Sequence, residues 1–365
     1  MPTPTGRNAG IDWLRGVAIL LVVVHHLALP FRLPLRPSLL GDWLPQRLTD
    51  AISFNGYEAV FIFFVISGFL ITSRLVARGG ELKRVDLRRF YTARAVRILP
   101  LLLIVLAVLT VLALVDLPGF GPDPAQQSVV GLLGTALTFT FNWYEGSTGW
   151  APAGWDVLWS LSIEEIFYIG FPVLCLGLAR RVLIFLLVIL ALALVPLRDL
   201  VPVADEVWWE KAYLPGMAAI AWGVLAALLA QRWRPRRRTA LCLACAGVVG
   251  IVLVVGWGDI VHRFLFKSNL YVLCVGACAV LLACHAHPPT PRRALAWLAA
   301  TGRMSYELYL SHMFVVLATV SLYRALLGSV QTWTFVVYLP VLACCWCLAQ
   351  WLERLTARLV RTVTP

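Results

Sequence analysis

Apolar residues run along this chain in blocks of helical length, separated by short polar and basic segments. The blocks fall near 11–30, 57–77, 98–115, 157–179, 182–197, 213–230, 239–257, 269–286, 304–323 and 331–350. Each holds about 16–23 residues, enough to cross or nearly cross a hydrocarbon core at 1.5 Å per residue. A further run, 129–143, is shorter and carries Thr138, Thr140 and Asn142, so it reads as re-entrant or interfacial. The pattern predicts an all-α polytopic membrane protein, a bundle of about ten transmembrane helices with one such segment. No internal repeat of the kind common in secondary transporters is visible. One transmembrane domain is expected over 1–365, with no terminal extension long enough for a second.

Composition agrees. The chain is 60% hydrophobic and only 14% charged, with a mean hydropathy of +0.82. A soluble domain cannot bury that much apolar surface. The net charge of +12 invites a nucleic-acid partner, but the basic residues sit in short clusters between apolar blocks, and no soluble basic domain exists to bind one. With ten spans and a cytoplasmic start, the clusters Arg74 to Arg97, Arg180–Arg181, Arg232 to Arg238, Arg292–Arg293 and Arg354 to Arg361 share one side. About 22 of the 31 Lys and Arg then lie inside, as the positive-inside rule requires. Asp116, Asp123, Glu145, Asp199, Asp205, Glu206, Glu210 and Asp259 collect on the other side. Both termini are expected in the cytoplasm. The first block lacks the basic start and small-residue cleavage pattern of a signal peptide. All nine cysteines fall in apolar runs and read as small packing residues. Cys242 and Cys245 lack a second ligand pair, so no metal is expected.

The first block, "GIDWLRGVAILLVVVHHLALP", keeps Asp12, Arg15, His25 and His26 inside an otherwise apolar helix. Ionisable groups in a membrane span are costly and mark function. Arg15 and His26 are eleven positions apart, about three full turns, so they share a face some 16 Å apart along the axis. Asp12 lies one turn from Arg15 and is placed to pair with it. His25 points about 100° away from His26 and suits an interhelical hydrogen bond. A neutral imidazole is the natural general base or nucleophile for acyl transfer to a hydroxyl.

Other polar groups interrupt the apolar blocks. "RRFYTARAVRILP" carries Arg88, Arg89, Arg94 and Arg97. Arg94 and Arg97, three apart, are helical neighbours suited to bidentate phosphate contacts. "WDVLWSLSIEEIFYIGFP" sets Ser160, Glu164 and Tyr168 down one stripe, with Glu165 on an adjacent face, and "GRMSYELYLSHMF" does the same with Ser305, Tyr309 and His312. In "FFVISGFLIT", Ser67–Gly68 lies mid-span, where the missing side chain admits a helix or a ligand. Taken alone, these features fit an acyltransferase or a proton-coupled transporter with His26 and Glu164 as a relay.

Taken together, "DWLRGVAILLVVVHH", "FFVISGFLI", "FYTARAVRILP", "WSLSIEEIFY" and "SYELYLSH" resemble, in order, the acyltransferase-three family of integral-membrane acyltransferases. The resemblance covers nearly the whole chain. It implies a bundle of about ten helices that moves an acyl group, usually acetyl, from acyl-CoA to a hydroxyl of an envelope or lipid-linked glycan, or in some relatives to a small molecule such as a macrolide. Carried over by position, His26 is the catalytic histidine, Arg15 its motif partner, and Glu164 the carboxylate of the serine–glutamate motif. Arg15, Arg89, Arg94, Arg97 and Ser67 belong to the donor side, and Asp12, Tyr168, Tyr309 and His312 to the acceptor. Ile166 stands where many relatives have Gln, and Glu307 where others carry a less polar residue. Acetyl-CoA is expected as a donor substrate, with no resident cofactor. The expected location is the bacterial plasma (inner) membrane. Some relatives carry a soluble hydrolase-like domain after the bundle, which is not expected in a chain ending at Pro365.

Overall fold

A computed structural model describes residues 7–31, 38–79, 82–200, 205–264 and 269–363. The side chains of Arg78, Asp199 and Arg361, read above as loop charges, lie outside this set. Every regular element among the described residues is helical. In chain order these are α1 (Ala9–Phe31), α2 (Leu39–Trp43), α3 (Gln46–Ser53), α4 (Gly56–Gly79), α5 (Leu87–Leu114) and α6 (Val129–Leu137). There follow α7 (Phe141–Thr148), α8 (Ala153–Asp156), α9 (Leu158–Gly177), α10 (Arg180–Leu192), α11 (Leu194–Asp199) and α12 (Glu206–Lys211). The last six are α13 (Tyr213–Arg232), α14 (Arg237–Phe264), α15 (Asn269–Ala286), α16 (Ala296–Arg303), α17 (Ser305–Leu327) and α18 (Tyr338–Val363).

Nine segments among the described residues are long and apolar enough to cross a membrane. The tenth apolar block, 182–197, is divided. A turn at Ala193 separates the 13 residues of α10 from the 6 of α11, and both halves pack on α13. The 129–143 run forms α6 and the start of α7, of 9 and 8 residues, joined through Phe139 at φ 57°. Neither reaches the length of a span.

The helices begin where their caps say they should. Asp86 accepts the Arg89 backbone N–H to open α5, and Ser128 accepts that of Gly131 to open α6. Pro30, Pro100 and Pro172 are carried inside α1, α5 and α9, tolerated in membrane helices because neighbouring groups re-satisfy the freed carbonyls. Leu103, Val111, Leu114, Phe185, Val249 and Leu339 point outward, so the bundle's perimeter is apolar.

The core is built around α1, α4 and α13. A Cβ placed on Gly68 would lie 2.1 Å from the Ile220 carbonyl oxygen, and one on Gly223 only 1.9 Å from that of Val65. The mid-span glycine therefore receives the backbone of α13, not a ligand. This contact fixes the Ser67 end of α4. Of the cysteines, Cys175, Cys274, Cys278 and Cys345 are buried, whereas Cys242, Cys245, Cys344 and Cys347 are exposed on the helix surfaces. The packing role holds for the first group only. No metal-ligating cluster occurs among the described residues.

Candidate active site

Helix α1 carries the long axis of the site. Its first turns lie against α16, where a Cβ on Gly302 would meet the Asp12 carbonyl oxygen at 1.8 Å. That approach brings the start of α17 beside α1, and the Arg15 guanidinium donates to Ser305 Oγ at 2.7 Å. Asp12 does not pair with Arg15 in the way helical spacing allows. Its carboxylate meets Arg7 at 3.4 Å, outside the helix, leaving Arg15 to face α17. Asp12 is buried away from the cavity described next.

A cavity opens between α1, α4, α5, α9 and α17. Arg15, Arg74, Arg94 and Arg97 ring one end, Ser67, Glu164 and Tyr168 line the middle, and Ser160 and Tyr309 lie at the inner end. From Arg74 to Val60, both in its lining, α4 descends about 21 Å. Ser67 Oγ donates to Glu164 Oε1 at 2.8 Å, and Ser160 Oγ to the Tyr309 hydroxyl at 2.7 Å. The two sequence stripes on α9 and α17 thus face each other across one space. Arg89 does not join them: its side chain is exposed on the first turn of α5.

The two arginines three residues apart differ. Arg94 binds Glu165 through two hydrogen bonds, Nε to Oε2 at 3.0 Å and a terminal nitrogen to Oε1 at 2.5 Å. Its guanidinium also lies 3.4 Å from the centre of the Tyr168 ring. The fork that would bind a phosphate is taken up within the protein, and the Tyr168 face is covered. Arg97 lines the same cavity with its side chain exposed.

His26 lies beyond the inner end, outside the cavity lining. Its Nδ1 is 2.8 Å from the Val22 carbonyl oxygen and 3.2 Å from His312 Nε2. His312 is fully buried, and its Nδ1 lies 3.0 and 2.9 Å from the Leu308 and Tyr309 carbonyl oxygens. Both its ring nitrogens are engaged, and none is open to a substrate. His25 turns away from this pair, with Nδ1 3.3 Å from the Ser53 carbonyl oxygen of α3. That matches the interhelical bond expected for it.

One cluster escaped the sequence. Lys211 is buried, donates to Glu145 Oε1 at 2.9 Å, and also binds Asp156. Its ammonium lies 4.2 Å from the Trp150 ring centre. Glu145 Oε1 also accepts the Ala151 backbone N–H. Burial, reinforced by the neighbouring Asp156 carboxylate, holds the Glu145 carboxyl well above its ordinary range. These residues join α7, α8 and α12, whereas the charge pattern marks only Glu145, as one of the acids on the outer side. Only the density of aromatic residues in "FNWYEGSTGWAPAGWD" hinted that the loop packs as a core.

A model of a family described as an acyltransferase domain matches residues 8–350. The chain is 23% identical over 354 residues to the O-acetyltransferase OatA of Staphylococcus aureus, covering 90% of this chain and 53% of the relative. It is 25% identical over 351 residues to the peptidoglycan O-acetyltransferase OatA of Listeria monocytogenes, covering 85% and 49%. The chain thus spans about half the length of the curated relatives it matches. No solved structure matches it.

Proposed function

Because the chain belongs to the acyltransferase-three family, we propose that it is a plasma-membrane O-acetyltransferase that carries acetyl from cytoplasmic acetyl-CoA to a hydroxyl of an envelope glycan. Family membership makes it an acyltransferase and sets the proton-coupled transporter aside. The glycan acceptor follows from relatives whose names specify peptidoglycan O-acetylation. In this reading α10 and α11 cross together as one broken helix, the tenth span, so both termini are cytoplasmic, and the arginine-rich end of the bundle faces the cytoplasm, in keeping with the basic clusters.

The observation that carries the reading is the cavity itself, ringed by guanidiniums at one end and neutral and hydroxyl-lined at the other. Arg97, Arg74 and Arg15 would meet the anionic end of the donor. The thioester arm would run past Ser67 and Glu164 towards His26, and membrane lipid would seal the sides. Arg94 serves differently, holding Glu165 and the Tyr168 ring in place. The Ser160–Tyr309 hydrogen bond closes the inner end short of His26, and donor binding would open it. His26 Nε2 would then take the proton of the acceptor hydroxyl as its oxygen attacks the thioester carbonyl. The C–S bond breaks, and the departing thiolate recovers that proton from Nε2.

The test is acetyl transfer by the purified protein in lipid nanodiscs, from labelled acetyl-CoA to peptidoglycan fragments and lipid-linked saccharides. Label should pass to the glycan, and His26→Ala should lower transfer by about 10²–10⁴-fold while still binding CoA. An active His26→Ala variant refutes the role of His26, and a protein that neither binds nor cleaves acetyl-CoA refutes the donor.

A further inference from the structure

From the ring geometry we infer that His312 is a positioning residue that fixes the tautomer of His26 and takes up charge from it during transfer; this rests on the reading of His26 as the base. The proton positions follow from the partners. A ring nitrogen within hydrogen-bond distance of a carbonyl oxygen must carry the hydrogen, because the oxygen has none to give. His312 Nδ1 lies 3.0 and 2.9 Å from the Leu308 and Tyr309 carbonyl oxygens, so it is the N–H of that ring. His26 Nδ1 lies 2.8 Å from the Val22 carbonyl oxygen, so it too is protonated. The 3.2 Å contact between His26 Nδ1 and His312 Nε2 then admits one arrangement. His26 Nδ1–H donates to both the Val22 carbonyl and the bare Nε2 of His312.

Two consequences follow. His26 Nε2 is left without a hydrogen, the state needed to accept a proton from a hydroxyl. When it accepts one, the positive charge spreads to Nδ1–H, whose bond to the His312 nitrogen strengthens as the donor becomes cationic. Val22 supplies the same acceptor chemistry from within α1, but a carbonyl one turn back follows the helix. His312 supplies it from α17, so it also locks the ring plane against rotation; the two ring centres are 4.9 Å apart at an interplanar angle of 62°. His312 is fully buried and can receive the bond without competition from water. The pair is organised like other reactive histidines whose second nitrogen is held by a fixed partner.

The experiment compares His312→Leu, which keeps bulk and removes the acceptor, with His312→Gln, whose side-chain carbonyl can restore it. Acetyl transfer is followed under varied acetyl-CoA. His312→Leu should lower kcat by about 10–100-fold, the scale found when the partner of a ligating histidine is removed. The donor KM should move less than about twofold, because His312 lies outside the cavity lining, and His312→Gln should recover part of the lost kcat. In the unsubstituted protein, ¹⁵N NMR of its six histidines, with His26 assigned by its loss in His26→Ala, should show Nδ1 protonated and Nε2 bare.

Wild-type kcat in a folded His312→Leu protein overturns the inference. So does equal loss in His312→Leu and His312→Gln with a matching fall in thermal stability, which would mark a packing role. A His26 ring protonated at Nε2 overturns it without any substitution at His312, so the inference is decided even if His312→Leu fails to fold. An active His26→Ala protein would instead refute the underlying reading.

Discussion

Removing Arg94 should damage the fold before it damages donor binding. Its guanidinium makes two hydrogen bonds to Glu165, at 3.0 and 2.5 Å, and lies 3.4 Å from the Tyr168 ring centre. Both partners are shielded, with side-chain exposures of 19% and 8%. Each charged hydrogen bond is worth about 1.5–3 kcal/mol. Truncating one side of a buried pair leaves the other charge without its counter-ion, so Arg94→Ala should cost about 3–5 kcal/mol. Glu165→Ala should cost a similar amount. The double variant should lose much less than the sum, with a coupling of about 1–3 kcal/mol, since the second truncation removes the stranded charge left by the first. Arg94→Lys should not restore the wild type, because an ammonium cannot make the two parallel bonds. The assay is reversible unfolding in mixed micelles, followed by the fluorescence of the 15 tryptophans, with CoA binding measured on each folded variant. Additive losses, or full stability with abolished CoA binding in Arg94→Ala, would refute this assignment and make Arg94 a donor ligand.

Arg97→Ala should behave oppositely, keeping stability while the donor KM rises about ten- to a hundredfold and kcat changes little, as measured by initial rates under varied acetyl-CoA. Gly223→Leu should destabilise the bundle by more than the usual 1–3 kcal/mol of an overpacked core, because even its Cβ would press on the Val65 carbonyl; thermal unfolding checks this. Lys211→Met should cost about 3–5 kcal/mol by stranding Glu145 and Asp156. Because burial holds Glu145 above its ordinary range, that variant should be most stable at low pH and lose stability as pH rises through the native value, visible in unfolding at a series of pH values. Single-cysteine accessibility in a background free of native cysteines should label Arg236 and Arg292 from one side and Asp123 and Asp205 from the other; Asp123 and Arg236 on one side would overturn the ten-span arrangement.

Periodicity made the helices and their faces legible. Arg15 and His26 share a line on α1, and the α9 and α17 stripes meet as their spacings imply. What periodicity does not carry is the identity of the neighbouring helix. Spacing offered Asp12 to Arg15, but a residue before the helix captured Asp12, because Arg15 reaches Ser305 across the close approach of α1 and α16. Spacing likewise gave Arg94 and Arg97 one role, and α9 separated them by placing Glu165 within reach of the first alone. The resemblance put His312 on the acceptor side, whereas its bonds to Leu308 and Tyr309 turn its Nε2 towards His26 of α1. The division of the 182–197 block at Ala193 is marked in the sequence only by Pro196, which has no N–H to give the Leu192 carbonyl; the Tyr271 hydroxyl binds that carbonyl instead.

The length of α5 bears on the energetics of the donor. The helix runs 28 residues, and Arg97 stands 17 positions before its last residue, about 26 Å at 1.5 Å per residue. A hydrocarbon core is about 30 Å thick. If Leu114 marks one boundary of the oil, Arg97 lies close to the other. A polyphosphate held there keeps most of its hydration and escapes the large cost of moving an anion into a medium of low dielectric constant. In the proposed reaction only the uncharged thioester tail would have to enter. The division sets a selectivity of its own: a longer acyl chain adds little electrostatic cost, so its exclusion would rest on the volume left between Glu164 and Tyr309.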